Sequence, residues 1–326
     1  MPTSKFVSRL LQTAILVLLV ANAAWATFPG KNGRLVFVMS VNGGWQLFTI
    51  NPDGTDLQQL TNLPPTGFPV LDPVYSPDGS QVVFSHDMTG AVELYVVNAD
   101  GTDLRQVTHD NGENLFPIWS PDGLRILFSR LYISSNQFFD HHLASINPDG
   151  SGLRIITRNL FDDYEPAYTP DGSKIVFASS RGALISALWV GDSEGSHATR
   201  LTAPELEGGY PDVSPDGRQV AFDSHESTEL PPFLWIMRTD GSHLRRLTSL
   251  FAAHPAFAPD NKKIAFVGGT VFPGTGDLYL INPDGSGLQL VLHCPEGCLN
   301  PHWSSQALPR SGLRSALIHL QIFARA

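Results

Sequence analysis

Short apolar runs recur along the chain and are separated by polar turns rich in Pro, Asp and Gly. Between Pro73 and Thr108 the runs are PVYS, QVVFS, ELYVVN and LRQVT. Runs of four to six β-branched and aromatic residues bounded by turn residues predict β-strands. The second run is almost continuously apolar, which predicts a strand buried on both faces. The pattern therefore predicts units of four strands, named a to d in chain order.

Two turn motifs alternate through the chain. The SPDG type begins at Ser76, Ser120, Thr169, Ser214 and Ala258, and the NPDG type begins at Asn51, Asn98, Asn147, Asp192, Arg238 and Asn282. Pro presets φ for a type I turn and Gly accepts the positive φ that follows, so both motifs predict hairpins. Successive copies of each motif lie 44 to 49 residues apart. Four strands at this period are typical of propeller blades.

The number of blades follows from the strand runs. Strand c occurs six times, but strand a precedes only five of these copies, and the first unit begins with a strand b at Arg34–Val38. The usual 22-residue interval between turns places one more SPDG-type turn at Ala307, which aligns Trp303 with Trp119. We therefore predict an all-β, six-bladed propeller over residues 27–307. The segment around Trp303 should supply the innermost strand of the first blade and close the ring.

The two ends of the chain differ from the repeats. Residues 1–26 carry two positive charges, the apolar run Leu10–Val20 and Ala24-Trp25-Ala26, with 21–23 as an alternative cleavage site, and so predict a signal peptide. This run is shorter than the roughly 20 residues of a membrane span. We expect a periplasmic or secreted protein with no transmembrane segment in its mature chain. Residues 308–326 fit no repeat and predict a frayed end or a short helix, with a membrane- or partner-binding helix as the alternative.

Charge and cysteine content narrow the function classes. The net charge of −10 argues against nucleic-acid binding, which depends on Lys and Arg. Cys294 and Cys298 are the only cysteines, and export favours a disulfide between them. The alternative is a metal site that adds His293, but three clustered ligands without a fourth make a poor zinc site. We assign no metal site and no cofactor.

The repeats also carry a family resemblance. Blades of the form PxWSPDGxxIxFxS followed by LYxxNxDGxxLxxLT resemble TolB-type propeller repeats over about residues 30–307. Similar blades occur in dipeptidyl peptidase-like enzymes and in oligogalacturonate lyase. TolB has an α/β domain before its propeller, whereas here strand b follows the predicted signal peptide. The resemblance implies a free-standing TolB-like (WD40-like) propeller.

Topology predicts where a binding site lies. Because neighbouring strands alternate in direction, the a–b and c–d turns share one face of the disc, and the d–a and b–c loops share the other. The loops of this second face, the variable face, differ between blades, and such loops on a rigid scaffold often carry function. The residue before the Pro of each strand a should ring the channel mouth, and these ring residues are Asp72, Phe116, Glu165, Tyr210, His254 and Asn300. Candidate neighbours are His86, Arg130, Arg181 and His225.

Two functional hypotheses fit this ring. The first is a monomeric, non-enzymatic module that binds a protein, peptide or glycan on the variable face, because convergent polar groups in a concavity indicate binding. The alternative is a metal-assisted enzyme of the channel mouth, such as a polysaccharide lyase or a hydrolase-like protein. The ring residues could also be merely solvated or plug the channel. GDSEG at Gly191–Gly195 matches a nucleophile motif but lies in register with the NPDG turns, so we assign no catalytic residue.

Overall fold

The computed structural model describes residues 30–65, 70–110, 112–133, 139–181, 185–203, 206–225, 231–269 and 276–306. These residues form 24 β-strands in six antiparallel sheets of four. The predicted signal peptide, residues 1–26, and the predicted tail, residues 308–326, lie outside the described residues. None of the described residues forms a helix long and apolar enough to cross a membrane.

Each sheet is one blade, with its strands ordered a to d from the channel outward. Strand b is β1 (Lys31–Val41), β5 (Gln81–Asp87), β9 (Ile126–Ile133), β13 (Lys174–Ser179), β17 (Gln219–Ser224) and β21 (Ile264–Gly269). Strand c is β2 (Gly44–Ile50), β6 (Val92–Asn98), β10 (Phe139–Ile146), β14 (Ala187–Asp192), β18 (Phe233–Arg238) and β22 (Asp277–Ile281). Strand d is β3 (Gln58–Gln59), β7 (Arg105–Gln106), β11 (Arg154–Ile155), β15 (Thr199–Arg200), β19 (Arg245–Arg246) and β23 (Gln289–Leu292). Strand a is β4 (Leu71–Tyr75), β8 (Asn114–Trp119), β12 (Asp163–Tyr168), β16 (Gly209–Val213), β20 (Phe251–Phe257) and β24 (Cys298–Gln306).

The closing strand lies where the repeat count predicts. β24 pairs antiparallel with β1, with Leu35 opposite Trp303, and thereby becomes strand a of the first blade. β24 also packs against β4 of the second blade and β20 of the sixth, so the six inner strands form a closed ring. The predicted six-bladed propeller with a C-terminal innermost strand is confirmed.

Tryptophan side chains on the inner strands join neighbouring blades. Trp303 is 2% exposed, and its indole Nε1 donates a hydrogen bond of 3.1 Å to the Ala256 carbonyl of the sixth blade. Trp119 makes the same contact, also at 3.1 Å, with the Val74 carbonyl of the second blade. A buried indole N–H needs such an acceptor, because an unpaired polar group is costly away from water. The closing strand thus makes the same inter-blade contact as the inner strand of a blade formed by one continuous segment.

Strand b is the centre of each blade, as its apolar run predicts. One phenylalanine per blade occupies the same position of strand b and is fully buried: Phe37, Phe84, Phe128, Phe177, Phe222 and Phe266. The positions on both sides of it are also buried, because each sheet packs against a neighbouring sheet on both faces. Stacking of sheets explains why these strands lack the polar alternation of a solvated sheet.

The PDG turns form by local hydrogen bonding. In the second blade the Gly79 N–H donates to the Ser76 carbonyl at 2.8 Å, and Gly79 has a φ of 71°. Oδ1 of Asp78 accepts hydrogen bonds from the Ser76 hydroxyl at 2.7 Å and from the Ser80 N–H at 3.0 Å. These contacts satisfy the backbone within the turn, so the repeated motif is explained by structure alone.

Strand d is shorter than the sequence predicts. LRQVT suggests five paired residues, but the ladder contains two residues in five of the six blades. A threonine side chain extends the pairing: Oγ1 of Thr108 accepts a hydrogen bond of 2.9 Å from the Leu94 N–H. The same contact recurs at Thr61, Thr157, Thr202 and Thr248. The threonine therefore replaces a backbone pair at the outer edge of the blade.

The b–c hairpin of the third blade extends beyond the apolar runs of its strands. β9 and β10 continue into the segment expected to form a variable-face loop, with Leu131 opposite His141. The Leu131 N–H also donates to the Glu113 carbonyl at 2.8 Å. Residues 134–138 at its tip lie outside the described residues, as do parts of the other variable-face loops.

Candidate functional site

The six ring residues occupy equivalent positions near the start of each strand a, at the end remote from the a–b turn. The ladder between strands a and b shifts register beside each of them, for example between Leu71 and Val74 around Asp72. Such a β-bulge turns a side chain away from the regular alternation of the strand. The six ring residues line one cavity, with such a bulge at each of them.

The backbone of all six ring residues is left-handed. Their φ values lie between 46° and 55°, although none is glycine. This conformation costs a non-glycine residue roughly 1–2 kcal/mol. The register shift of the inner strand coincides with this residue in every blade. Strained positions of this kind cluster at functional sites, which makes the ring a candidate site.

The ring surrounds a cavity of about 130 Å³ in the central channel. Its lining comes from strand a of all six blades and contains the ring residues, the prolines and the residues just after them. Asp212 and His302 line it two positions beyond Tyr210 and Asn300, and sequence reasoning missed both. The signal was present, because the corresponding position in the other four blades is Val, Ile or Ala.

Hydrogen bonds between neighbouring blades fix the polar ring residues. Nδ2 of Asn300 donates to Oδ1 of Asp72 at 2.6 Å, which joins the first and second blades. The Tyr210 N–H donates to Oε2 of Glu165 at 2.8 Å. The fifth blade has no acid in the ring, and there Asp223 at the end of strand b accepts the N–H of His254 at 3.1 Å. Sequence reasoning did not identify Asp223.

Aromatic side chains fill another part of the mouth. Tyr210 meets the ring of Phe116 edge to face, with centroids 5.6 Å apart and planes at 84°. Tyr210 also meets the imidazole of His254 at 4.1 Å and 82°. Edge-to-face contacts are favourable because the positive edge of one ring faces the negative face of the other. These contacts reach across the channel and narrow it.

Burial changes the protonation of the acids. It raises the pKa of Asp72 to about 7, against the smaller effect of the Phe116 backbone N–H. It raises the pKa of Asp212 to about 7 and that of Asp223 to about 6. The pKa of Glu165 is raised well above its usual value by burial and then by the charge of Asp223. Low-dielectric surroundings disfavour a carboxylate that has no cation beside it.

Burial shifts the histidines of the channel in the opposite sense. It lowers the pKa of His254 to about 4. It lowers that of His302 to about 4 as well, and Nδ1 of His302 accepts the Tyr75 N–H at 3.4 Å. Both imidazoles are therefore neutral near pH 7 and can accept hydrogen bonds.

The four predicted neighbours of the ring do not line the cavity. Nη2 of Arg130 forms an ion pair with Asp110 at 2.7 Å. Nη2 of Arg181 forms one with Asp163 at 2.6 Å, and its guanidinium lies 5.1 Å from the centroid of Phe177. His86, at the end of β5, is buried, and His225 follows β17. Ion pairing and burial thus keep both arginines and His86 out of the channel lining.

The cysteine pair and the GDSEG motif do not line the cavity. Cys294 and Cys298 form a disulfide with Cα atoms 5.7 Å apart, immediately before and at the start of the closing strand. Gly191–Gly195 ends strand c of the fourth blade and continues into a turn in which the Gly195 N–H donates to the Asp192 carbonyl at 2.9 Å. Within the part of the chain that the structure describes, no three His, Cys, Asp or Glu side chains are grouped to hold a metal ion.

Comparisons with known proteins agree with this architecture. The TolB from Acinetobacter baumannii superposes with a TM-score of 0.70 at 21% identity, over 86% of this chain and 69% of that one. A structure described as a TolB from Agrobacterium tumefaciens gives 0.61 at 22% identity, over 81% and 90% of the two chains. At these identities the likeness shows the fold alone.

A sequence relative extends the comparison. The uncharacterized protein Atu1656 of Agrobacterium fabrum is 32% identical over 126 residues, which are 35% of this chain and 42% of that protein. The match thus spans less than half of the relative. Residues 18–211 match the family described as TolB beta propeller domain, PD40. Because that match covers more than half of the sequence, the chain belongs to the TolB beta propeller domain family.

Proposed function

We propose that this chain is an exported binding module that takes part of a protein, peptide or glycan ligand into the mouth of its central channel. One observation carries the proposal: all six blades place a left-handed residue at the same point, and these residues surround a cavity of about 130 Å³. Strained positions cluster at binding sites, and here all six surround the same cavity. Export to the periplasm or to the outside rests on the N-terminal charge and apolar pattern.

The chemistry of the mouth suits recognition. Asp72, Glu165 and Asn300 supply polar groups that are about nine-tenths buried, while Phe116 and Tyr210 supply apolar surface. A mostly apolar concavity with a few fixed polar groups is the usual form of a binding site. The hydrogen bonds between blades hold these groups in place before a ligand arrives, which lowers the entropic cost of binding.

Site-specific crosslinking in intact cells tests the proposal. A photoreactive phenylalanine analogue at position 210 should capture a discrete ligand that mass spectrometry can identify. Leu124 is the matched control, because it is 66% exposed beside the a–b turn of the third blade, on the opposite face. The expected result is a product from position 210 and none from position 124. A product from position 124 alone would overturn the proposal.

Ring variants provide a second test. The triple variant Asp72→Ala, Glu165→Ala, Tyr210→Ala should abolish recovery of the captured ligand in a pull-down. Circular dichroism establishes first that the variant folds. Undiminished recovery by a folded variant would show that the ligand binds elsewhere.

A further inference from the structure

Three buried acceptor atoms at the channel mouth have no hydrogen-bond partner among the described residues. They are Oδ2 of Asp72, Oδ1 of Asn300 and Nδ1 of His254. Asp72 and Asn300 are only 8% and 7% exposed, and all three residues line the cavity. Buried polar atoms are nearly always paired, and each exception calls for an explanation. Three at one cavity indicate that a donor group is missing.

The three acceptors belong to residues of consecutive blades. His254, Asn300 and Asp72 stand at the same position of strand a in the sixth, first and second blades, which are consecutive in the ring. Nδ2 of Asn300 already donates to the other oxygen of Asp72, so Oδ1 is the amide atom of Asn300 that is left without a partner. Nδ1 of His254 is an acceptor in the tautomer that carries the proton on Nε2. The set can thus accept three hydrogen bonds and carries one acidic group.

No cation among the described residues pairs with the carboxyl group of Asp72. Among the described residues that line the cavity there is no lysine or arginine. The nearest candidates from the sequence, Arg130 and Arg181, pair with Asp110 and Asp163 instead. Glu165 and Asp223 add further acidic groups around Tyr210. A buried carboxylate without a counter-charge favours a ligand that brings a positive charge.

The aromatic side chains at the mouth favour an organic cation over a metal ion. Phe116 and Tyr210 present carbon surface, whereas Ca²⁺ prefers six to eight oxygen ligands. An ammonium group needs only three acceptors, and aromatic rings attract organic cations. An alkyl stem would pack against the same rings and bury apolar area. The arrangement therefore fits a primary ammonium on an apolar stem better than a bare metal ion.

We propose that the channel mouth binds a primary alkylammonium group, which donates to Asp72 Oδ2, Asn300 Oδ1 and His254 Nδ1 and lays its stem against Phe116 and Tyr210. This inference rests on the proposed function and adds the chemical class of the ligand group. The group could come from a lysine side chain of a partner or from a free amine. Both sources share the same ammonium chemistry.

Calorimetry and ligand-observed NMR with four probes test the inference. The probes are n-pentylamine, n-pentanol, calcium chloride and Nα-acetyl-lysine N-methylamide, whose side-chain amine is free. We expect the amines to bind and n-pentanol to bind at least about tenfold more weakly, since a charged hydrogen bond contributes roughly 1.5–3 kcal/mol. Binding of n-pentylamine alone would point to a free amine, and stronger binding of the lysine derivative would point to a protein partner. Either result supports an ammonium site.

Matched variants tie the binding to the site. Asp72→Asn keeps the size of the side chain and removes its charge, and we expect it to weaken amine binding at least about tenfold. His254→Phe keeps an aromatic ring and removes one acceptor, and should weaken it several-fold. Glu194→Gln removes an exposed charge in the c–d turn of the fourth blade and should leave binding unchanged. Thermal melts confirm that each variant is folded.

The outcomes separate this inference from the proposed function. Equal binding of n-pentanol and n-pentylamine, or unchanged binding by folded Asp72→Asn, would overturn the ammonium site. Calcium that displaces the amine and itself depends on Asp72 would replace it with a metal site. Absence of binding by all four probes would also overturn it. The crosslink at position 210 would still decide independently whether the mouth binds any ligand.

Discussion

Asn300 and Asp72 are 228 residues apart and share a hydrogen bond of 2.6 Å from Nδ2 to Oδ1. Asn300 lies on the strand that closes the ring, and Asp72 lies on the inner strand of the next blade. The same contact thus joins the ends of the propeller and fixes one side of its channel mouth. Closure of the fold and assembly of the candidate site depend on the same strand.

Asp72 should make stability depend on pH. Its pKa is about 7 in the folded protein, against an ordinary value of 3.8, so the folded state retains a proton that the unfolded state has lost between these limits. The contribution of Asp72 to stability is therefore complete below pH 4 and is lost as pH rises to about 7. Relative to wild type, Asp72→Asn should become more stable over this range, by at most about 4 kcal/mol. Urea unfolding at pH 4 to 8 measures the difference.

Several other groups titrate in this range, so the comparison between variants is essential. His254 and His302, with lowered pKa values, make stability rise with pH and oppose the buried acids. They are present in both proteins, and their effect cancels to first order in the difference. Glu194→Gln is the control and should give a difference that does not change with pH. A flat difference for Asp72→Asn as well would contradict the burial of its charge.

Trp303, on the closing strand, should contribute as much to stability as Trp119, whose blade is formed by one continuous segment. We expect Trp303→Ala to cost about 3–5 kcal/mol, because it leaves a cavity between the first and sixth blades. Trp303→Phe should cost about 1–3 kcal/mol, mainly because the Ala256 carbonyl loses its donor. Chemical denaturation measures both values, and Trp119→Ala is the matched reference at the same position of the third blade. A loss below about 0.5 kcal/mol for Trp303→Ala would contradict a closed ring.

Substitutions of Phe116 test the backbone strain at the ring residues. Its φ is 54°, and a β-branched side chain is especially disfavoured in the left-handed region. Phe116→Ile should therefore be less stable than Phe116→Leu by about 1–2 kcal/mol, although the two side chains have the same composition. Thermal denaturation of the two variants compares them directly. At position 118, where no positive φ occurs, Ile118→Leu provides the control and should change stability by less than about 1.5 kcal/mol.

The disulfide should stabilise the folded protein by constraining the segment that leads into the closing strand. Cys294 and Cys298 enclose a short loop, for which the chain-entropy model gives about 2 kcal/mol. The double variant Cys294→Ser, Cys298→Ser should lose about this amount in urea unfolding. Wild type in reducing buffer should match the double variant, and the double variant should not respond to reductant. A wild type that is insensitive to reductant would argue against the bond.

Local patterns were sufficient for most of the fold. The PDG turns and the apolar strand b predict hairpins and stacked sheets because both depend on neighbours a few residues away. The blade count followed from periodicity. The length of strand d was not predictable, because the Thr108 side chain replaces a backbone pair and no run of residues reveals this.

The candidate site was predicted in part. The ring was found because the residue before a recurrent proline marks the same position in every blade. Asp212 could have been found as a polar residue among Val, Ile and Ala at its position. Asp223 could not have been found in this way. It accepts the N–H of His254 because the ring position of its own blade, Tyr210, is not an acid.

The sequence by itself determined the all-β blades, their number and the strand that closes them, because turn chemistry and hydrophobic period are local and repeat in register. Only the tertiary structure decided which side chains meet in the channel and which acceptors remain unpaired. The bulge at each ring residue and the pairing of Arg130 and Arg181 away from the channel depend on contacts between different strands and loops, and the link between Asn300 and Asp72 joins residues 228 apart. Burial in the channel then raises the pKa values of the acids, and this burial cannot be inferred from any isolated stretch of sequence.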